Sequence, residues 1–257
     1  MSLKVTVCGS SGGYAGAGKA CSGFLLQSES GTLLLDIGAG VLSNVLKHIE
    51  ADQLDGLALT HMHYDHYSDI YGLCTARCFR ETALPALPVL ATADAKDIIA
   101  SPLAERSRPG FFKCVKMIAP IPGEEIDIAG FNVMAKPSEH VVDGFIYRIN
   151  VDDRTICYSG DTGRCDAVLE MACDVDLFIC ESTFTSEWFL SREGHLDAFE
   201  SGQIAADAGV KSLLLTHLWP TLDPEIALVE ASTRYNGPVD IAVEGLMLFV
   251  GPYPCAT

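Results

Sequence analysis

Three imidazoles and a carboxylate fall within the six residues His61-Met62-His63-Tyr64-Asp65-His66. A lone histidine is usually a satisfied core or surface group. Three beside an aspartate repel one another as cations and desolvate poorly as neutrals unless something binds them, and a divalent metal ion is the simplest such thing. The run follows Leu57-Ala58-Leu59, an apolar stretch that reads as a buried strand. His61 and His63 then alternate as a pair leaving a strand does, while Asp65 and His66 stand where the chain turns into a helix. Ligands placed that way can point at two neighbouring ions, so a two-metal centre is expected. Taken alone, Asp65 could instead cap a helix over Tyr67 to Leu73.

Such a centre needs strands that end together. Apolar runs predict strands over residues 3 to 8, Gly23 to Gln27, Thr32 to Leu35, up to Leu90, Lys113 to Ala119, Glu125 to Ile128 and Phe131 to Ala135. In the second half they predict Gly144 to Asn150, Thr155 to Tyr158, Leu177 to Cys180, Ser212 to Leu215, Asp240 to Val243 and Met247 to Val250. Helices are expected over Val41 to Ile49, Ser68 to Phe79, residues 94 to 101, Ala167 to Met171, Ala198 to Ala208 and Pro224 to Tyr235. Two short echoes link the halves. Leu59-Thr60-His61 and Leu215-Thr216-His217 each close an apolar strand with histidine, and Asp36-x-Gly38 and Asp161-x-Gly163 each put an acid in a glycine turn after one. Two similar β/α halves packed face to face would bring these strand ends to one edge. His140, His195 and His217 also follow strands or lie in loops, whereas His48 sits in a helix of ordinary amphipathic pattern. The glycine-rich loop from Gly9 to Gly18 lacks a phosphate-cradle pattern and is read as a flexible loop near the site.

Composition narrows the partners. A chain of 257 residues with 49% hydrophobic residues can bury a sizeable core. The N-terminus has no signal-peptide pattern and no apolar run is long enough to span a bilayer, so a soluble, cytoplasmic protein is expected, with no membrane partner. Ten cysteines scattered through a chain of this kind are expected to be reduced thiols, and Cys74 and Cys78, four apart on a helix, to be core. The net charge of −17 disfavours a long nucleic acid, whose binding draws on Lys and Arg. A small anionic substrate is expected instead, and a homodimer is compatible with the sequence. Arg106, Arg108, Lys113 and Lys116 form a stretch without an acid from Ser107 through Pro120, either a solvated loop or a small positive lip over the site that meets an anionic substrate.

The run Thr60 to His66, with Asp36, His140, Asp161 and His217 in their order along the chain, resembles the metallo-β-lactamase superfamily over nearly the whole sequence. The resemblance implies an α/β fold, a four-layer αβ/βα sandwich of two similar halves, filling residues 1 to 257 as a single domain. It also implies His61, His63 and His140 on one ion, Asp65, His66 and His217 on the other, and Asp161 bridging. Nitrogen and carboxylate ligands without thiolate suit zinc, with manganese or iron as alternatives. Asp36 either orients a ligand histidine by hydrogen bond or satisfies backbone N–H groups in its own turn. A narrower resemblance rests on Cys180-Glu181-Ser182-Thr183, Gly194-His195-Leu196 and Gly209-Val210-Lys211 leading into Leu215-Thr216-His217, which is similar to the end of ribonuclease Z-type phosphodiesterases. It implies that Glu181 and His195 form a pair near the leaving group. Cys180 stands where histidine is more usual there, and the long arm that grips transfer RNA in that family has no obvious counterpart, unless residues 101 to 117 are a short substitute for it.

The expected function is a dinuclear metal-dependent hydrolase, a phosphodiesterase for a small anionic ester, in which a hydroxide generated at the metals attacks in line. Asp65, Glu181 and His195 are the expected catalytic residues, with His195 protonating the leaving alkoxide and Glu181 fixing its tautomer. Hydrolysis of a lactone or thioester on the same site, and a metal-stabilised sensor without turnover, are the alternatives.

Overall fold

The computed structural model describes residues 3–80, 83–187 and 193–251. Its first sheet has the strand order β14-β1-β2-β3-β4-β5-β6, built from β1 (Leu3–Gly9), β2 (Gly23–Gln27), β3 (Thr32–Leu35), β4 (Gly56–Ala58), β5 (Leu87–Leu90), β6 (Val115–Ile118) and the late strand β14 (Met247–Val250). The second runs β13-β12-β11-β10-β9-β8-β7, built from β7 (Glu125–Ile128), β8 (Phe131–Pro137), β9 (Phe145–Val151), β10 (Arg154–Tyr158), β11 (Leu177–Glu181), β12 (Leu213–Thr216) and β13 (Val239–Ile241). The two sheets repeat one pairing scheme. β1, β2 and β3 are antiparallel and β3 to β6 parallel, just as β8, β9 and β10 are antiparallel and β10 to β13 parallel.

Strands buried on both faces explain the unbroken apolar runs. Leu33 and Leu35 of β3 point into the core between the sheets, and Leu34 points into the helical layer. Leu177 and Ile179 of β11 likewise face the other sheet, and Phe178 and Cys180 face helices. Helices α1 (Val41–Val45), α3 (Ile70–Cys78) and α4 (Ala95–Ala100) cover the first sheet. Helices α6 (Asp166–Ala172), α7 (Ala198–Asp207) and α8 (Pro224–Ser232) cover the second, which completes an αβ/βα sandwich of two similar halves. Phe24 and Tyr158 meet edge to face at 5.4 Å between the sheets, and the Tyr147 hydroxyl donates to Leu59 O at 2.8 Å. These contacts fix one row of strand ends against the other.

Two expectations fail away from the site. Residues 101 to 117 are not a plain loop: a 3₁₀ turn, Glu105–Ser107, leads into helix α5 (Arg108–Cys114), with Pro109 in its first turn. That helix packs Phe111 against Tyr71 of α3 at 5.8 Å, so an apolar anchor, not charge alone, organises the basic stretch. The thiols are not all reduced. Cys78, which is exposed and not core, is joined to Cys114 by a disulfide whose Cα atoms are 6.3 Å apart. Cys74, one turn earlier, is buried as expected. Seven other cysteines are free, and Cys255 lies outside the described residues. Among the described residues no helix is long and apolar enough to cross a membrane.

Candidate metal centre

Six loops that follow strands supply the site. Asp36 follows β3, and residues 59 to 66 follow β4 through the short helix α2 (Tyr64–Tyr67). His140 follows β8, Asp161 follows β10, Glu181 ends β11 ahead of the loop that bears His195, and His217 follows β12. Every candidate ligand and catalytic residue, with Asp36, converges here, and His48 does not. His61 Nε2 and His140 Nε2 lie 3.0 and 3.1 Å from His63 Nδ1, and His61 Nε2 is 3.5 Å from Asp161 Oδ2. Beside them, His66 Nε2, His217 Nε2 and Asp65 Oδ2 lie within 3.3 to 3.6 Å of one another. Asp161 faces both groups: its other oxygen, Oδ1, is 3.3 Å from His66 Nε2 and 3.4 Å from His217 Nε2.

The outward nitrogens decide what the inward ones can do. Asp36 Oδ2 sits 2.8 Å from His66 Nδ1, and the Gly194 carbonyl sits 2.8 Å from His140 Nδ1. A carboxylate and a carbonyl only accept, so both Nδ1 atoms carry hydrogen, and each ring when neutral turns an Nε2 lone pair inward. The Thr60 hydroxyl donates to Asp36 Oδ2 at 2.8 Å and therefore accepts from His61 Nδ1, 3.1 Å away. Bare nitrogens and carboxylate oxygens facing one another at these distances repel unless a cation lies among them. Asp161 Oδ1 is buried without a hydrogen-bond partner, and the donors are nitrogen and oxygen throughout, so the residues fit divalent ions.

Charge gives the same answer. Burial, reinforced by the neighbouring His66, holds His61 well below the ordinary imidazole pKa, and burial lowers His63 and His140 as well. Burial also opposes charge on His66, but Asp161, Asp36 and Asp65 together lift it well above the usual value, so a proton sits on that ring where no other cation balances the acids. Asp161 is held well below the usual carboxylate range despite burial, by His217, His66 and His61. The cluster is thus an anionic cage that draws positive charge to its centre.

Three open alternatives close. Asp65 is not a cap, because α2 starts at Tyr64 and the Asp65 carboxylate accepts the Gly13 N–H at 2.8 Å. Asp36 serves a histidine, with the Tyr158 hydroxyl donating to the same Oδ2 at 2.7 Å. Glu181 and His195 are not a solvated surface pair: Glu181 is 1% exposed, and His195 Nδ1 lies 3.2 Å from its Oε1. Burial disfavours the imidazolium of His195, but Glu181 outweighs it and pushes the pKa up to about 9. A capping box between Asp197 and Glu200 starts α7 and fixes the loop bearing His195. Cys180 faces the helices, so its departure from the histidine usual there leaves Glu181 undisturbed.

Some of the site escaped sequence reading. The glycine loop, expected near the site but flexible, is packed tightly against it: a Cβ on Gly12 would fall 2.3 Å from His217 O. Gly194, at φ +75°, brings its carbonyl to His140 where a Cβ would lie 2.7 Å from the ring. Tyr158 looks like an ordinary strand residue, and Thr183 carries no signal beyond its place after a strand. Asp36 and His217 both adopt left-handed backbone, φ +54° and +58°, at the ends of β3 and β12.

Comparison with known proteins agrees with this geometry. The β-lactamase superfamily domain model matches residues 32–218. The probable metallo-hydrolase YhfI of Bacillus subtilis is 32% identical over 95% of this chain and 99% of its own. Its crystal structure superposes with a TM-score of 0.86 over 96% of this chain and 98% of that one. A ribonuclease Z of Haloferax volcanii is 27% identical over 98% of this chain and 96% of its own. The crystal structure of the short form of human tRNase Z shares the fold at a TM-score of 0.78 and 20% identity, covering 97% of this chain and all of that one. A family match across most of the sequence, a relative alike from end to end, and a cage of histidine and aspartate at the strand ends together place this chain in the β-lactamase superfamily, among its metallo-hydrolases.

Proposed function

We propose that the protein is a dinuclear metal-dependent phosphodiesterase for a small anionic ester. The observation that carries this reading is Asp161, whose two carboxylate oxygens face two histidine groups, one oxygen being buried without a partner. His61, His63 and His140 would hold one divalent ion, Asp65, His66 and His217 the other, and Asp161 would bridge. When bound, such ions make water a competent nucleophile at neutral pH and offset negative charge developing on the ester.

The remaining work falls to the chain. Asp36 and the Gly194 carbonyl keep ligand histidines in the tautomer that offers Nε2 inward. His195, paired with Glu181, would deliver a proton to the leaving alkoxide, which matters for a poor leaving group such as a sugar oxygen. That pair favours a phosphodiester over a thioester, whose thiolate departs without a proton donor. Relatives named ribonuclease Z support the same ester class. The net charge of −17 supports a small substrate over a long nucleic acid.

The test begins with metal analysis of purified protein loaded in turn with zinc, manganese and iron, where close to two ions per chain are expected. The loaded protein is then assayed in parallel on cyclic nucleotides, dinucleotides, an activated diester, precursor transfer RNA, lactones and thioesters. Hydrolysis confined to lactones or thioesters would move the reading to carbonyl chemistry. Metal-replete protein inert on the whole panel, yet stabilised by its ions, would identify a sensor.

A further inference from the structure

Thr183 follows β11 by two residues, the place that Thr60 holds after β4, and these are equivalent strands of the two repeated sheets. Both hydroxyls are buried, and they make matching bonds. Thr60 links Asp36 to His61, while Asp36 binds a second histidine, His66, directly. Thr183 donates to Glu181 Oε2 at 2.5 Å and lies 2.8 Å from His217 Nδ1, while Glu181 binds a second histidine, His195, directly. Each half therefore contains one carboxylate serving two histidines, one of them through a threonine.

A hydroxyl has one proton and two lone pairs. With its proton committed to Glu181, Thr183 Oγ1 can only accept from His217, so His217 carries hydrogen on Nδ1 and offers Nε2 to the centre. Its second lone pair faces His195 Nδ1 at 3.2 Å. The paired sequence Thr216-His217 suggests that Thr216 plays this part, but the Thr216 hydroxyl is buried without a hydrogen-bond partner.

We infer that Thr183 is a positioning residue that couples the Glu181–His195 pair to the metal centre, passing the pull of Glu181 to His217 and fixing that ring as an Nε2 ligand. The inference rests on the two-ion reading above. It makes Glu181 responsible for two things at once, the proton donor and one metal ligand.

In the zinc-loaded wild-type protein, long-range 1H–15N spectra of the imidazoles are expected to show His217 protonated at Nδ1 and bare at Nε2; the opposite tautomer overturns the inference. Thr183→Val is expected to weaken one of the two ions by about 10- to 100-fold in competition with a chelator, the usual cost of losing a partner behind a ligand. Thr183→Ser, which keeps the hydroxyl, should restore wild-type affinity. A valine variant that holds both ions normally, or a serine variant as weak as valine, overturns it. Wild-type protein without tightly bound zinc overturns the two-ion reading along with this one, whereas two tight ions and an indifferent valine variant overturn this one alone.

Discussion

Asp36 Oδ2 lies 2.8 Å from His66 Nδ1 and accepts two further hydrogen bonds, from the Thr60 and Tyr158 hydroxyls, while Oδ1 takes the Thr60 N–H at 2.7 Å. Four donors on one fully buried carboxylate leave no position that an amide nitrogen can occupy without facing another donor. Asp36→Asn is therefore expected to cost about 1–3 kcal/mol of stability through an unsatisfied buried group. It should also weaken metal binding about 10- to 100-fold, because His66 loses the acceptor that orients it. Denaturant unfolding and chelator competition check the two effects separately. Unchanged metal affinity in a folded variant would show that His66 needs no help from Asp36.

The position of His195 leads to a prediction about leaving groups. Its ring stacks against His217 at 5.7 Å between centroids and meets His140 edge-on at 4.9 Å, and its nitrogen also comes close to Asp161 and His217, so it lies at the edge of the cluster. If it donates the departing proton, His195→Ala should lose about 100- to 10,000-fold on an alkyl leaving group, the usual range for a general acid. A nitrophenolate needs no such help and should lose far less. Steady-state kcat on a matched pair of diesters measures the difference, and equal losses on both would assign His195 to binding instead.

Cysteine chemistry can be read without an activity assay. Burial pushes the thiols of Cys8 and Cys74 up to about 12 and that of Cys21 up to about 11, which suppresses the reactive thiolate at neutral pH. Cys173 is exposed. Native alkylation at neutral pH should label Cys173 well before these three, and denatured alkylation without reductant should leave Cys78 and Cys114 unlabelled. Peptide mass spectrometry reads both patterns. Full labelling of Cys78 and Cys114 in the unreduced, denatured chain would remove the disulfide.

What could be read from the sequence follows a physical divide. The run from His61 to His66 is local, so residue type and spacing alone place its side chains, and strands buried on both faces announce themselves as apolar runs such as Leu33-Leu34-Leu35. Partners distant in sequence left weaker traces. Tyr158 reaches Asp36 from the opposite sheet, and the Gly13 N–H reaches Asp65 across 52 positions, contacts set by packing that no pattern along the chain encodes. The echo of Thr60-His61 in Thr216-His217 matched letters on strands that are not equivalent, since topology pairs β4 with β11 and so Thr60 with Thr183. The Asp36 and Asp161 echo does fall on equivalent strands, β3 and β10, yet one acid lies behind a histidine and the other between two groups. Helix α5 was missed because its ordering comes from Phe111 on Tyr71 and the bond to Cys78, both tertiary.

A pH dependence is expected far from the site, at Asp176. Its carboxylate accepts the Thr155 N–H at 2.9 Å and pairs with Lys211 Nζ at 2.6 Å, joining the start of β10 and the turn before β11 to the turn before β12. Burial works against its charge, but Lys211 and the Thr155 N–H prevail and hold its pKa below the ordinary 3.8. A carboxyl depressed on folding stabilises the native state above its unfolded pKa, and that contribution is lost as pH falls through the lower, folded value. Wild-type protein should therefore exceed Asp176→Asn in stability at pH 6, and the gap should shrink below about pH 4, where the unfolded carboxyl takes up its proton. Lys211 is 69% exposed and solvent screens it, so the gap at pH 6 should be on the order of 1 kcal/mol. Urea unfolding of both proteins at pH 6 and pH 3 measures it. A gap that widens on acidification would mean that Asp176 is held by its shape in the turn and not by its charge.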